Sequence, residues 1–155
     1  IDLFQNEKFP EGMLYEDFAL NARIMYSCKK IAVCNDKLYF YRRNENGITM
    51  SHFSVHKLDA LKQIENRLLF FYKVGEKSVY NRFLQEYEIE NLKFFYLTKK
   101  YLKNRSIEKD LRKKYSKYFF EAISAKENRG VAKLYILLGL FFPFLMGYIT
   151  SIWDK

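Results

Sequence analysis

The sequence predicts a mainly α, α+β chain in which one helix and a small sheet precede a helical bundle. Three observations point there. Only two prolines and six glycines interrupt 155 residues, so helix breakers are scarce. Beyond Ser54, apolar residues recur at three- and four-residue steps, the period of a half-buried helix. Runs rich in β-prone residues are confined to 31–34 and 38–41, which suffices for a small sheet and no more. A hydrophobic content of 49% supplies the core of one ordinary domain and excludes a disordered tail.

Residues 1–8 show no period and read as a loop. Phe9-Pro10-Glu11-Gly12 is punctuation: proline fixes its own φ and holds Phe9 extended, and Gly12 permits a turn. A helix over 13–29 follows from Leu14, Phe18, Ala22 and Met25 at spacings of four, four and three. Glu16 and Asp17 fall in its first turns, where the helix dipole favours negative charge. The runs 31–34 and 38–41 are separated by the turn pair Asn35-Asp36, giving either a hairpin or two edge additions to a sheet. A polar turn at 44–47 then leads to Ser51 or Ser54 as the cap of the next helix.

Val55, Leu58, Leu61, Ile64, Leu68 and Phe71 define an amphipathic helix that stops at Gly75. His52 and His56 lie near its start, but no third ligand is within reach in sequence, so a solvated pair is expected rather than a zinc site. A second long helix over 76–103 carries Val79, Phe83, Tyr87, Phe94, Tyr101 and Leu102 on changing faces, and its aromatic stripe reads as core. Asn104-Arg105-Ser106 breaks it. Ser106 is the expected cap of a third helix to 126, with Leu111, Tyr115, Tyr118, Phe119 and Ala122 facing inward. Three antiparallel helices of this kind bury their stripes against one another.

Residues 134–153 contain no charged side chain, and Tyr135, Tyr148 and Trp153 stand near the ends of the run, as aromatic residues do at a membrane interface. Gly139, Pro143, Gly147 and Thr150-Ser151 weaken a straight span, so a buried or interface-lying helix broken at Pro143 is expected. The organisation read from the sequence is thus 1–52, then a helical extension over 53–155 with an apolar tail at 131–153.

The net charge of +9 calls for an anionic partner, whether nucleic acid, a phospholipid surface or a phosphorylated substrate. The segment 93–117 holds Lys99, Lys100, Lys103, Arg105, Arg112, Lys113 and Lys114 just ahead of the apolar tail, a combination that suits an anionic leaflet. No helix-turn-helix, zinc-finger or RNP-type pattern supports nucleic acid, which is not an expected partner. Cys28 and Cys34 form no CxxC pair and read as free thiols of a reducing cytosol.

The motif F-P-E-G-x-x-x-E-D over 9–17, followed by L-Y-x-Y-R-R-x-x-x-G-I-T-M-S over 38–51, resembles the end of the catalytic domain of bacterial family 2 glycosyltransferases, inverting enzymes of GT-A fold. The resemblance covers roughly the first third of the chain. It implies that Asp17 is the general base for the acceptor hydroxyl, that Glu16 supports it, and that Arg42, Arg43 and Ser51 lie near the donor diphosphate. It further implies a nucleotide-sugar donor, a glycan or lipid-linked acceptor, and a divalent metal, Mg or Mn. No Asp-x-Asp and no Gly-rich strand-turn-helix pattern occurs ahead of Phe9, so the expectation is a C-terminal piece, inactive alone, with the metal held mainly by a preceding half. The expected location is cytoplasmic, peripheral on the inner face of the cell membrane. The rival expectation is a non-enzymatic helical module that binds membrane or protein, in which Asp17 is only a dipole-favoured helix residue.

Overall fold

A computed structural model describes residues 4, 7–9, 11–42, 44, 47, 51–128 and 130–153. Among them are six α-helices and no β-strand: α1 (Asp17–Ser27), α2 (Asp59–Lys73), α3 (Lys77–Leu97), α4 (Arg105–Ser124), α5 (Gly130–Phe141) and α6 (Pro143–Trp153). A 3₁₀ turn, Val55–Leu58, leads into α2, and one π turn, Thr98–Leu102, extends α3.

The helix α3 is the spine. It packs against α2, α4, α5 and α6, with α6 its most extensive neighbour. Its buried residues therefore cover more than one face: Tyr80, Leu84 and Tyr87 as well as Leu92, Phe94, Phe95 and Tyr96. This accounts for the shifting aromatic stripe in the sequence, since a helix enclosed by neighbours needs no single apolar side. Leu61, Ile64, Leu68 and Phe71 of α2 and Leu111, Tyr115, Tyr118, Phe119 and Ala122 of α4 complete the main core, which Ile136 and Met146 close from α5 and α6.

The α2 to α3 connection is decided locally. Gly75 has φ +79°, its N–H donates to the Tyr72 carbonyl, and the Glu76 N–H donates to the Phe71 carbonyl. Those paired bonds satisfy the last carbonyls of α2, and the left-handed residue between them is the one that lacks a Cβ. At the end of α3 the Lys103 N–H reaches back to the Thr98 carbonyl at 2.8 Å, and Lys103 itself is left-handed at φ +50°. This places Asn104, not the expected Ser106, at the cap of α4. The Asn104 side-chain oxygen accepts from the Ser106 and Ile107 N–H groups at 3.0 and 3.3 Å.

Two further expectations are corrected. The strands expected at 31–34 and 38–41 are not seen: the described chain there has no regular structure, is exposed, and bends at Asp36, where the Leu38 N–H donates to the Asp36 C=O at 3.0 Å. Val33, Leu38, Tyr39 and Phe40 are each more than four-fifths exposed. Four-residue runs express β propensity only on a half-buried sheet surface, and none of the described elements offers one. The first helix starts at Asp17 rather than at 13, because Gly12 (φ +72°) and Tyr15 (φ +60°) are left-handed and cannot join a right-handed helix. The Leu14 N–H instead donates to the Asp59 carboxylate of α2 at 3.3 Å.

The uncharged tail folds back as a hairpin of two short helices with the break at Pro143. Proline at the first position of α6 forfeits no helical hydrogen bond. Among the described residues no helix is long and apolar enough to cross a membrane.

Candidate functional site

Glu16 and Asp17 sit at the start of α1, Glu16 partly covered and Asp17 exposed, and neither caps the helix through its side chain. The helix beneath them is firmly seated. Leu20 is buried, and the Tyr26 ring meets Phe70 and Phe71 edge-on while its hydroxyl donates to Glu76 at 3.2 Å. Arg67 of α2 supplies the link to the bundle: its guanidinium pairs with Glu86 at 2.7 Å, lies 4.0 Å from the Phe83 ring centre, and stands 5.8 Å from that of Phe18. Neither Arg67 nor Asp59, which anchors Leu14, was marked by any motif. Their one sequence signal is a charged residue falling on or beside the apolar stripe of α2.

Phe18 is the wall shared by two surface grooves. One, of about 550 Å³, is bordered by Asp17, Arg67 and Phe83. The other, of about 570 Å³, runs from Tyr15 to Tyr101 along α3. The larger groove is lined by Tyr15, Phe53, Phe94 and Tyr101 together with Glu86, Glu90, Lys57 and Lys93. Glu90 pairs with Lys93 at 2.8 Å. Burial pushes the Tyr15 hydroxyl above its usual range, opposed by the nearby Lys93. A bulky residue at φ +60° costs about 1–3 kcal/mol and is a feature of ligand clamps and active sites.

The structure shows no contact between Asp17 and the remaining described residues singled out in the sequence. Arg42 is exposed on the irregular segment that follows α1, and among the described residues no hydrogen bond or ion pair joins it to Glu16 or Asp17. Ser51 is exposed, and its carbonyl accepts from Lys57. Arg43 lies outside the described residues. His52 borders the larger groove and His56 is exposed. Among the described residues no group of three or more His, Cys, Asp or Glu side chains is placed to hold a metal ion. Cys28 and Cys34 are both free.

A second polar feature is internal. Glu88 of α3 is fully buried, and neither carboxyl oxygen has a hydrogen-bond partner among the described residues. Burial pushes its pKa up to about 9, so it is protonated at neutral pH. It lies close enough to Tyr87 and Tyr115 for its charge to raise both hydroxyls, on which burial acts more strongly. The signal was present in the sequence, since Glu88 falls four residues after Leu84 and four before Leu92 on one apolar stripe. Against family models, curated proteins and solved structures alike, the chain finds no match.

Proposed function

We propose that this chain is the C-terminal part of an inverting glycosyltransferase, comprising the end of the catalytic domain and a helical extension. The observation that carries the reading is the motif pair over 9–17 and 38–51, with Asp17 exposed at the start of a well-anchored helix. A supporting one is the irregular, exposed segment 31–41. Its β-prone apolar side chains lie in water, as strand residues do when the sheet they belong to is contributed by another body.

On this reading Asp17 takes the proton of the acceptor hydroxyl as the oxygen attacks the anomeric carbon from the face opposite the diphosphate. A carboxylate within hydrogen-bond reach is a competent base for such a step. The departing nucleoside diphosphate gains negative charge, which Arg42 and Arg43 offset. A divalent metal would share that charge, held mainly by residues of the preceding half. An acceptor chain lies along the groove between Tyr15 and Tyr101 and reaches past the shared Phe18 wall to Asp17, which borders the adjoining groove: aromatic rings match the C–H faces of a sugar, and carboxylates accept from its hydroxyls.

The test is Asp17→Asn in the full-length enzyme. The variant deletes the base with almost no change of volume, so donor binding is kept while transfer falls by about 10²-fold or more. Unchanged turnover removes Asp17 from the reaction, and a full-length parent without any transfer activity leaves the non-enzymatic helical module as the reading.

A further inference from the structure

We propose that the outer face of the α5–α6 hairpin is a docking surface for an anionic lipid leaflet, lying in the interface and not crossing it. The inference rests on this face alone and is independent of the transferase reading. The two helices use one stripe inward: Ile136, Gly139, Met146, Gly147 and Thr150 are buried against the bundle. The opposite stripe is equally apolar and uncovered. Leu134 is 56%, Phe141 68%, Phe142 56%, Leu145 51% and Trp153 75% exposed. A folded chain rarely leaves so many large apolar side chains of one helical hairpin in water unless something covers them.

Charge identifies the occupant. No charged side chain occurs within 134–153, yet cations rim the hairpin on the α3–α4 side. Lys99 lies 5.3 Å from the centre of the Phe144 ring, and Arg112 donates to the Leu140 carbonyl at 3.5 Å. Arg105, Lys109 and Arg112 border a shared groove with Phe141 and Pro143, in which Glu108 is the sole acid. An apolar protein face would not favour this rim. An anionic leaflet does, at about 1 kcal/mol for each basic residue near its surface. The geometry favours lying flat, because helices of 12 and 11 residues broken at Pro143 fall well short of the roughly 20 a spanning helix needs. Tyr148 and Trp153 then sit at headgroup depth.

Trp153 is the single tryptophan of the chain and reports directly. With vesicles of phosphatidylglycerol and phosphatidylcholine at low salt, its emission is expected to shift to the blue and to be quenched by brominated acyl chains. Binding should weaken with salt without vanishing, and should be much weaker, though still measurable, on phosphatidylcholine alone. The double variant Phe141→Ser, Leu145→Ser changes exposed side chains, so its thermal unfolding should match that of the parent while vesicle affinity falls at least tenfold. Lys99→Glu with Lys109→Glu should lower affinity only at low salt. The proposal is overturned if the parent leaves anionic vesicles unbound at low salt, or if the folded double variant binds as well as the parent. It is equally overturned if the chain forms a concentration-dependent dimer that the double variant abolishes and that vesicles do not compete with.

Discussion

Gly147 of α6 rests directly on the backbone of Leu92 in α3. A Cβ built at Gly147 would overlap the Leu92 carbonyl oxygen and stand 2.7 Å from the Cβ of Tyr96, atoms that cannot swing aside as a side-chain tip can. Gly147→Ala should therefore destabilise the fold by about 1–3 kcal/mol, although alanine is favoured over glycine within a helix by about 1 kcal/mol. At Gly139 the obstacles are the ends of the Leu92 and Tyr115 side chains, each 2.5 Å from where an added methyl group would stand, so Gly139→Ala should cost less. Urea unfolding of both variants checks the order, and a Gly147→Ala protein as stable as the parent would show that α6 is not seated this closely.

Glu88 makes stability depend on pH. Its folded pKa of about 9 lies above the ordinary value of 4.5, so as pH rises the unfolded chain gives up its proton first. The contribution is full below about pH 4.5 and is lost progressively toward about pH 9, at a slope of up to about 1.4 kcal/mol per pH unit. Glu88→Gln imitates the protonated acid and should abolish that slope, gaining on the parent as pH increases. Parallel denaturation curves of the two proteins from pH 5 to pH 9 would place a charged, partnered Glu88 in the core instead.

The junction between α3 and α4 offers a stabilising change and two that separate the cap residues. Lys103 is exposed and left-handed, so Lys103→Gly should stabilise by up to about 1 kcal/mol. Asn104→Ala removes the acceptor of two backbone N–H groups and should cost about 1 kcal/mol. Ser106→Ala should change stability by less than about 0.5 kcal/mol. Thermal midpoints of the three variants decide whether Asn104 or Ser106 caps the helix.

The groove prediction separates acceptor from donor. Tyr101 is 54% exposed at one end of the groove, so Tyr101→Ala should leave the fold intact. Losing one stacking face costs about 0.5–1.5 kcal/mol, which corresponds to a roughly twofold to tenfold rise in KM for a soluble saccharide acceptor. Donor affinity should be unaltered. Full-length enzyme whose acceptor KM ignores this change has its acceptor elsewhere.

Much of the bundle was written in the chain itself. The three- and four-residue spacing of Leu61, Ile64, Leu68 and Phe71 and of Leu111, Tyr115, Tyr118 and Ala122 specifies two helices and their inner faces. Gly75 and Pro143 determine where helices stop and start, because a left-handed φ and a missing N–H are properties of single residues. The weakness of the tail as a straight span was likewise legible. Other features depend on what lies opposite. The 31–41 segment has strand-forming residues but no described partner, and hydrogen bonds of a sheet need a second strand. The late start of α1 depends on Asp59 capturing the Leu14 N–H from another helix. The burial of Glu88 and the seating of Gly147 on Leu92 follow from α3 being enclosed on several sides. Periodicity states which residues share a face of one helix. Which faces meet, and how closely, is settled by steric fit between helices distant in sequence, and no local pattern encodes that distance.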